Sequence, residues 1–546
     1  MQRWQKRLLS TVALGSTIYL IDKYINHSVL ERSTRTLYNA LVIAADYKLN
    51  YDENNLESAS KLHSRVSQRM FNVCIKNGGL YIKFGQQIAS VDVLPAQYHI
   101  FRKLYDDAPS VDYDEVKKLF LEETGKEPLE MFTSFSENAI ASASIAQVHK
   151  ATLPDGTEVA VKVQKPQIAS QLNWDLRIHR VVLWLQEMLF DIPLVWMTDY
   201  LHEHFRQETN FINEGRNAER AAMDLAKVND LAEKVYIPKV YWEYTTPRIL
   251  TCEWIDGTKF NALDDLKQKR FNLTDLMKTC VDVFANQIFK TGFIHADPHP
   301  GNILVRWNPK NSEKYQLVLL DHGLYVQSTE SFRRDYCLFW KSLFTYDIDS
   351  LQSVATKWGI GNVQLFASVT LQKPWKPGKS LLINSKSNAP EVAEMASMMK
   401  QKLKSFLTTS ELLPKELIFV GRNLNLVRSN NRLYGSPVNR IKIMAIHAVE
   451  GLGNDWKIWM PWRKEIIEND RPDQWIDWIV ARINYSIFNC SLFLASISFY
   501  VNRIWQNLSK LITGKEGEGF EAIIDQRIKE ASGQFGIQIE ASAFDG

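Results

Sequence analysis

The chain reads as a helical period, then a two-residue period, then a helical period again. Residues 27 to 135 carry helix-spaced apolar positions, interrupted near Leu94-Pro95 and Ala108-Pro109-Ser110. Val148 to Leu153 and Glu158 to Val163 flank a Pro154-Asp155-Gly156 turn, and the pattern predicts a β-hairpin there. On its second strand Val159, Val161 and Val163 share one face, while Ala160 and Lys162 share the other. Gln171 to Ala226 is predicted to be mostly helical, with Glu208 and Glu214 inside it. Their spacing turns a helix by about 240°, so the two carboxylates are expected to serve different partners. Strands are predicted again at Val235 to Trp242 and Arg248 to Trp254, the second entering the Ile255-Asp256-Gly257 turn. From Asp264 to about Val449 the helical period dominates. Its exception is a pair of apolar runs, Ile303 to Arg306 and Leu317 to Leu320, around a polar turn at Asn308-Pro309-Lys310-Asn311-Ser312. The predicted fold class is α+β: a small β-rich lobe over 136–257 and a large helical lobe over 258–450. A helical extension over 27–135 precedes them, and a Trp-rich segment over 451–546 follows.

The candidate chemistry lies at the second hairpin. His295-Ala-Asp297-Pro-His299-Pro-Gly-Asn302 has the spacing H-x-D-x-x-x-x-N of a kinase catalytic loop, and Asp321-His-Gly follows Asn302 by nineteen residues. In that pattern the Asp meets the acceptor's proton, and the Asn and the later Asp each hold a metal ion. The hairpin is expected to bring Asn302 and Asp321 back together. An alternative is a zinc site on His295, Asp297 and His299, although Pro298 and Pro300 argue against a regular strand there. Lys162 lies on an apolar strand upstream of the loop, as a phosphate-binding lysine does, and Ala160 beside it leaves room for a flat base. A helix glutamate is expected to orient Lys162. Glu214 is the choice, with Glu208 left for another cation. The backbone at Glu253 and Trp254 is expected to meet the adenine edge. The predicted architecture is thus protein-kinase-like, with ATP and Mg²⁺ as cofactors.

Composition narrows the partners. A formal net charge of +3 with no arginine-rich tract argues against nucleic acid, and 45% hydrophobic residues fit a folded chain. The five cysteines are scattered and form no C-x-x-C pair, so neither a disulfide framework nor a zinc knuckle is expected. Arg3, Lys6 and Arg7 precede an uncharged stretch, Leu8 to Ile21, and the first acidic residue is Asp22. Basic and acid-poor, residues 1–26 read as a mitochondrial presequence or short membrane anchor. Ile483 to Val501 is also uncharged and follows tryptophans at 456, 459, 462, 475 and 478. Membrane contact, a membrane span and a buried helix all fit that segment.

These motifs resemble the UbiB family, the ABC1 or aarF-domain-containing atypical kinases. The resemblance is carried by Lys83-Phe84-Gly85-Gln86 as the K-x-G-Q signature and Ala141-Ser142-Ala143-Ser144-Ile145 as the start of the alanine-rich nucleotide loop. It is carried also by Lys162, Glu208, the His295 to Asn302 run and Asp321. Asp321 to Tyr325, Phe332 to Trp340 and Gly435 to Arg440 are similar to the mitochondrial branch that contains aarF-domain-containing kinase 1 and its fungal relatives. The resemblance implies ATP binding by Ala141, Ser142, Ala143 and Ser144, and a Lys83 paired with Glu208 over the active site. It also implies a role at the mitochondrial inner membrane in lipid homeostasis and coenzyme Q distribution, with membrane lipids or quinone as partners. Departures are visible. The usual E-x-D reads Glu208-Thr209-Asn210, a middle alanine of the loop is Ser142, and no A-P-E element follows Asp321. The expected function is a kinase-fold ATPase. The alternatives are a small-molecule or lipid kinase and a nucleotide-gated scaffold.

Overall fold

The computed structural model describes residues 17, 19–23, 27–52, 55–89, 95–105, 110–191, 194–361, 363–372, 375, 413–453, 456–459, 474–513, 517 and 519–524. The basic N-terminal residues and Trp462 lie outside the described residues. The chain divides into two compact units: Met1–Gly215 with Lys239–Trp254, and Arg216–Pro238 with Ile255–Gly546. The strands in chain order are β1 (Ser134–Phe135), β2 (Ala141–Ser142), β3 (Ala146–Thr152), β4 (Glu158–Gln164), β5 (Val235–Tyr236), β6 (Ile249–Glu253), β7 (Thr258–Lys259), β8 (Phe293–His295), β9 (Ile303–Asn308), β10 (Asn311–Leu319) and β11 (Tyr325–Gln327).

In the first unit the predicted hairpin forms. β3 and β4 pair antiparallel from Ala146↔Gln164 to Thr152↔Glu158, and the sheet order is β1-β3-β4-β6 with β2 against β3. Gly156, at φ +86°, supplies the positive φ the turn needs, and Asp155 Oδ1 accepts from Thr157 N at 2.9 Å. Val159, Val161 and Val163 are fully buried against Val116, Leu119 and Phe120 of the Tyr113–Thr124 helix. Each such side chain contributes about 1.5–3 kcal/mol of apolar burial, which sets the register and turns Lys162 to the opposite face. The helical extension belongs to this same unit: Val29–Asn50, Leu56–Asn77 and Leu80–Ala89, followed by a 3₁₀ helix at Ala96–Tyr105.

In the second unit β9 and β10 pair antiparallel, with β7 beyond β9 and β5 beyond β10, and β8 pairs with β11. Helices Leu273–Asn286, Glu330–Thr345, Glu416–Leu433, Arg440–Leu452 and Gln474–Thr513 make up most of the rest. The fold is α+β and kinase-like: the first unit joins a five-stranded sheet to the helical extension, and the second joins the β5-β10-β9-β7 sheet and the β8–β11 pair to the helices that follow.

Two expectations are corrected. Glu208 and Glu214 do not share a helix. Glu208 ends Thr198–Glu208 and Glu214 lies in the first turn of Phe211–Ala226, because Asn210 Oδ1 takes the Ile212 amide at 3.1 Å and starts a new helix. Val235 to Trp242 is not one strand either. Pro238 has no amide to continue a ladder, so β5 stops at Tyr236 and pairs parallel with β10, while Val240 forms a lone bridge to Cys252 in the first unit. Residues 216–238 pack with the second unit.

Candidate functional site

Each unit carries its own polar cluster. In the first, Lys162 Nζ donates to both carboxylate oxygens of Glu214, at 2.7 and 2.9 Å, and sits 5.3 Å from the Phe211 ring centre. The Glu214 side chain is 2% exposed and that of Lys162 is 21% exposed, so the carboxylate is fixed and the cation still has an open side. Lys83 Nζ lies 2.5 Å from Glu208 Oε1. The two lysines therefore hold the two glutamates separately, although through a helix break and not through one helix's rotation.

The Leu80–Ala89 helix that carries Lys83 is clamped by apolar contacts. Gly85 is closely packed: a Cβ there would strike the end of the Leu104 side chain and stand 3.1 Å from Phe101, so Leu104 would have to move. Phe84 stacks on His179 at 4.3 Å, and His179 Nδ1 lies 3.1 Å from His202 Nε2. Burial pulls His179 down to about 3 and His202 down to about 4. Both imidazoles stay neutral near pH 7.

Ala141 and Ser142 pair with Val148 and Gln147, and the chain turns back at once, Ala143 N donating to Ala146 O at 2.8 Å. Beneath the turn lies Lys165, which the sequence reading did not single out. Its Nζ donates to Ala143 O at 2.6 Å, and burial lowers its pKa to about 8. The Ser142 and Ser144 hydroxyls are buried and make no hydrogen bond among the described residues. Orphaned hydroxyls on a tight turn suit a polar ligand. The amides of Glu253 and Trp254 are both committed, to Lys239 O at 2.9 Å and to Glu158 O at 3.2 Å. Both amides are thus held within the first unit.

In the second unit the β9–β10 hairpin returns Asp321 to Asn302, with Asn302 Nδ2 at 3.2 Å from Asp321 Oδ2. Leu320 N donates to Asn302 O, and Asp321 Oδ1 takes the Gly323 amide at 3.0 Å. The Asn302–Asp321 contact runs from amide nitrogen to carboxylate; Asn302 Oδ1 and the remaining Asp321 oxygen are the hard donors that would hold Mg²⁺, which takes one or two side chains and fills its octahedron with phosphate oxygens and water. The zinc alternative finds no support. Among the described residues no group of three or more His, Cys, Asp or Glu side chains could hold a metal. His299 Nδ1 instead accepts from Gly301 N at 3.2 Å, and His295 Nδ1 accepts from Asp297 N at 3.1 Å. Burial holds His295 below its ordinary value against the pull of Asp321 and Asp297.

The catalytic-loop stretch is braced by residues that sequence reasoning missed. The Glu416–Leu433 helix sends Arg422 to Asp297, Nη2 to Oδ2 at 2.9 Å, with both side chains nearly buried. Asn423 Nδ2 donates to His295 O at 2.6 Å and Asn430 Nδ2 to Pro298 O at 3.2 Å. The available signal was the density of Arg and Asn in that helix, whose positions a solvated face would explain equally well.

A family model described as the ABC1 atypical kinase-like domain matches residues 103–355. ABC1 family protein C10F6.14c of Schizosaccharomyces pombe is 39% identical over 452 residues, 81% of this chain and 83% of that one. The probable serine/threonine-protein kinase abkD of Dictyostelium discoideum is 35% identical, over 83% of this chain and 67% of that one. AarF domain-containing protein kinase 1 of Mus musculus is 32% identical, over 78% of this chain and 83% of that one. Relatedness at this level over four fifths of the length joins the motif spacing and the paired hairpins, and the chain belongs to the ABC1 atypical kinase family.

Proposed function

We propose that this protein is an ATP-dependent enzyme of the mitochondrial inner membrane, an ATPase whose turnover supports lipid homeostasis and coenzyme Q distribution. The observation that carries the nucleotide reading is the Asn302–Asp321 contact at 3.2 Å, made by residues nineteen apart through a hairpin. Mg²⁺ held there would neutralise charge on the transferring phosphoryl group. Lys162, oriented by Glu214, meets phosphate oxygens with its open side. Asp297, held by Arg422, directs a water or an acceptor hydroxyl toward the phosphorus. Lys83 and Glu208 close over the nucleotide. The Ser142 and Ser144 hydroxyls donate to it in place of the glycine-rich loop's amides.

The test is phosphate release from ATP by the full chain, with and without anionic vesicles, in the parent and in Asp321→Asn. Release that the vesicles stimulate and the substitution reduces at least roughly a hundredfold supports the reading. Mass spectrometry of lipid extracts from the same reaction separates the lipid-kinase alternative, which requires a phosphorylated lipid in place of free phosphate. Nucleotide binding without either product would leave the scaffold.

A further inference from the structure

The Gln474–Thr513 helix has forty residues, about 60 Å at 1.5 Å per residue, and two unlike faces. The inner face is fastened to the second unit. Asn484 Nδ2 donates to Trp459 O at 2.7 Å, Phe488 packs on Phe344 and Trp459, Asn439 Nδ2 meets Ser496 Oγ at 3.1 Å, and Gln506 Nε2 donates to Gly435 O at 3.2 Å. These ties run from 484 to 506, about 33 Å of helix, as long as a bilayer's hydrocarbon core is thick. A membrane crossing would have to break all of them.

The outer face is apolar and open. At about 100° per residue Ile479, Ile483, Phe493, Ile504, Leu508 and Leu511 fall on the side opposite Ala481, Phe488 and Phe499. All six are exposed, Ile504 to 60% and Leu511 to 87%, whereas the three inner residues are buried. Arg482, Arg503 and Lys510 lie along one flank of the stripe, against a single acidic residue, Asp477, in the whole helix.

We propose that this helix lies in the plane of an anionic bilayer, its outer face sunk to the headgroup and acyl boundary and its arginines among the lipid phosphates. Length and composition alone fit a crossing helix, but the fastened inner face leaves only the outer one for lipid. The cationic flank chooses the bilayer over a second copy, since an antiparallel copy would set Arg482 near the other chain's Arg503, like charge against like. The inference rests on the membrane setting proposed above and not on the nucleotide chemistry.

The experiment is co-sedimentation of the full chain with phosphatidylcholine vesicles, with and without phosphatidylglycerol, plus the depth of a spin label on Cys490, the exposed native cysteine, in a Cys252→Ser background. The expected result is binding that needs the anionic lipid and weakens roughly tenfold or more in Ile504→Ser/Leu508→Ser/Leu511→Ser, with the label about 5–10 Å deep. A parallel loss in Arg482→Glu/Arg503→Glu supports the charge argument without altering the apolar stripe. A label near the midplane overturns the in-plane placement. Self-association lost in the triple variant without vesicle binding overturns it in favour of a second copy. Binding that appears only after removal of residues 525–546 overturns it for the intact chain. Phosphate release from ATP measured without vesicles remains a separate readout, so failure here and failure of the nucleotide reading are distinguishable.

Discussion

The two units hold their central charges in opposite ways. In the first, a buried carboxylate anchors a partly exposed cation, Glu214 at 2% and Lys162 at 21% side-chain exposure. In the second, cation and anion are both nearly buried, Arg422 at 9% and Asp297 at 12%. The difference matters because the Lys162 cation meets more solvent than the Asp297 carboxylate, 21% against 12%. The first arrangement keeps a cation available to an incoming anion. The second fixes the direction in which one carboxylate points.

Arg422→Met breaks this comparison most severely. It leaves Asp297 buried without its cation and should cost about 3–5 kcal/mol in urea unfolding. Adding Asp297→Asn should recover much of the loss, and a double-mutant cycle that showed no coupling would refute the pairing. Glu214→Gln should cost less, about 1.5–3 kcal/mol, because Lys162 can rehydrate through its open side. Its larger effect should appear in ATP affinity, read by nucleotide titration.

Acid should loosen the first unit through His179 and His202. Unfolded, both titrate near 6.5, and folded, near about 3 and about 4. Their contribution is fully present above the unfolded value and is lost as pH falls below it, by about 1.4 kcal/mol per pH unit for each ring. Urea midpoints measured down from neutrality should show this slope, and His202→Gln should shallow it. The smallest effect is expected from Gly85→Ala, about 1 kcal/mol of overpacking, since the Leu104 end can swing aside. If that substitution left thermal stability unchanged, the close approach of the 3₁₀ helix would not be what requires glycine there.

Much of the candidate site was legible because its parts are local. The β3–β4 and β9–β10 hairpins follow from turn residues and apolar runs, and closing the second one necessarily brings Asn302 near Asp321. The spacing of Glu208 and Glu214 assigns them separate partners, but the physical cause is an asparagine cap that splits the helix between them. The short strands β7, β8 and β11 span two or three residues and carry no period to detect.

The sequence by itself determined the order of elements, the face on which Lys162 stands and the motif that names the family, since each depends on neighbours a few residues apart. Tertiary structure alone decided that Arg422, Asn423 and Asn430 brace a loop more than a hundred residues upstream. It also decided that the amides at Glu253 and Trp254 are spent, and that one side of the Gln474–Thr513 helix is fastened while the other is open. Partners across such distances are chosen by packing and by the cost of burying unpaired polar groups, and no local pattern records that choice.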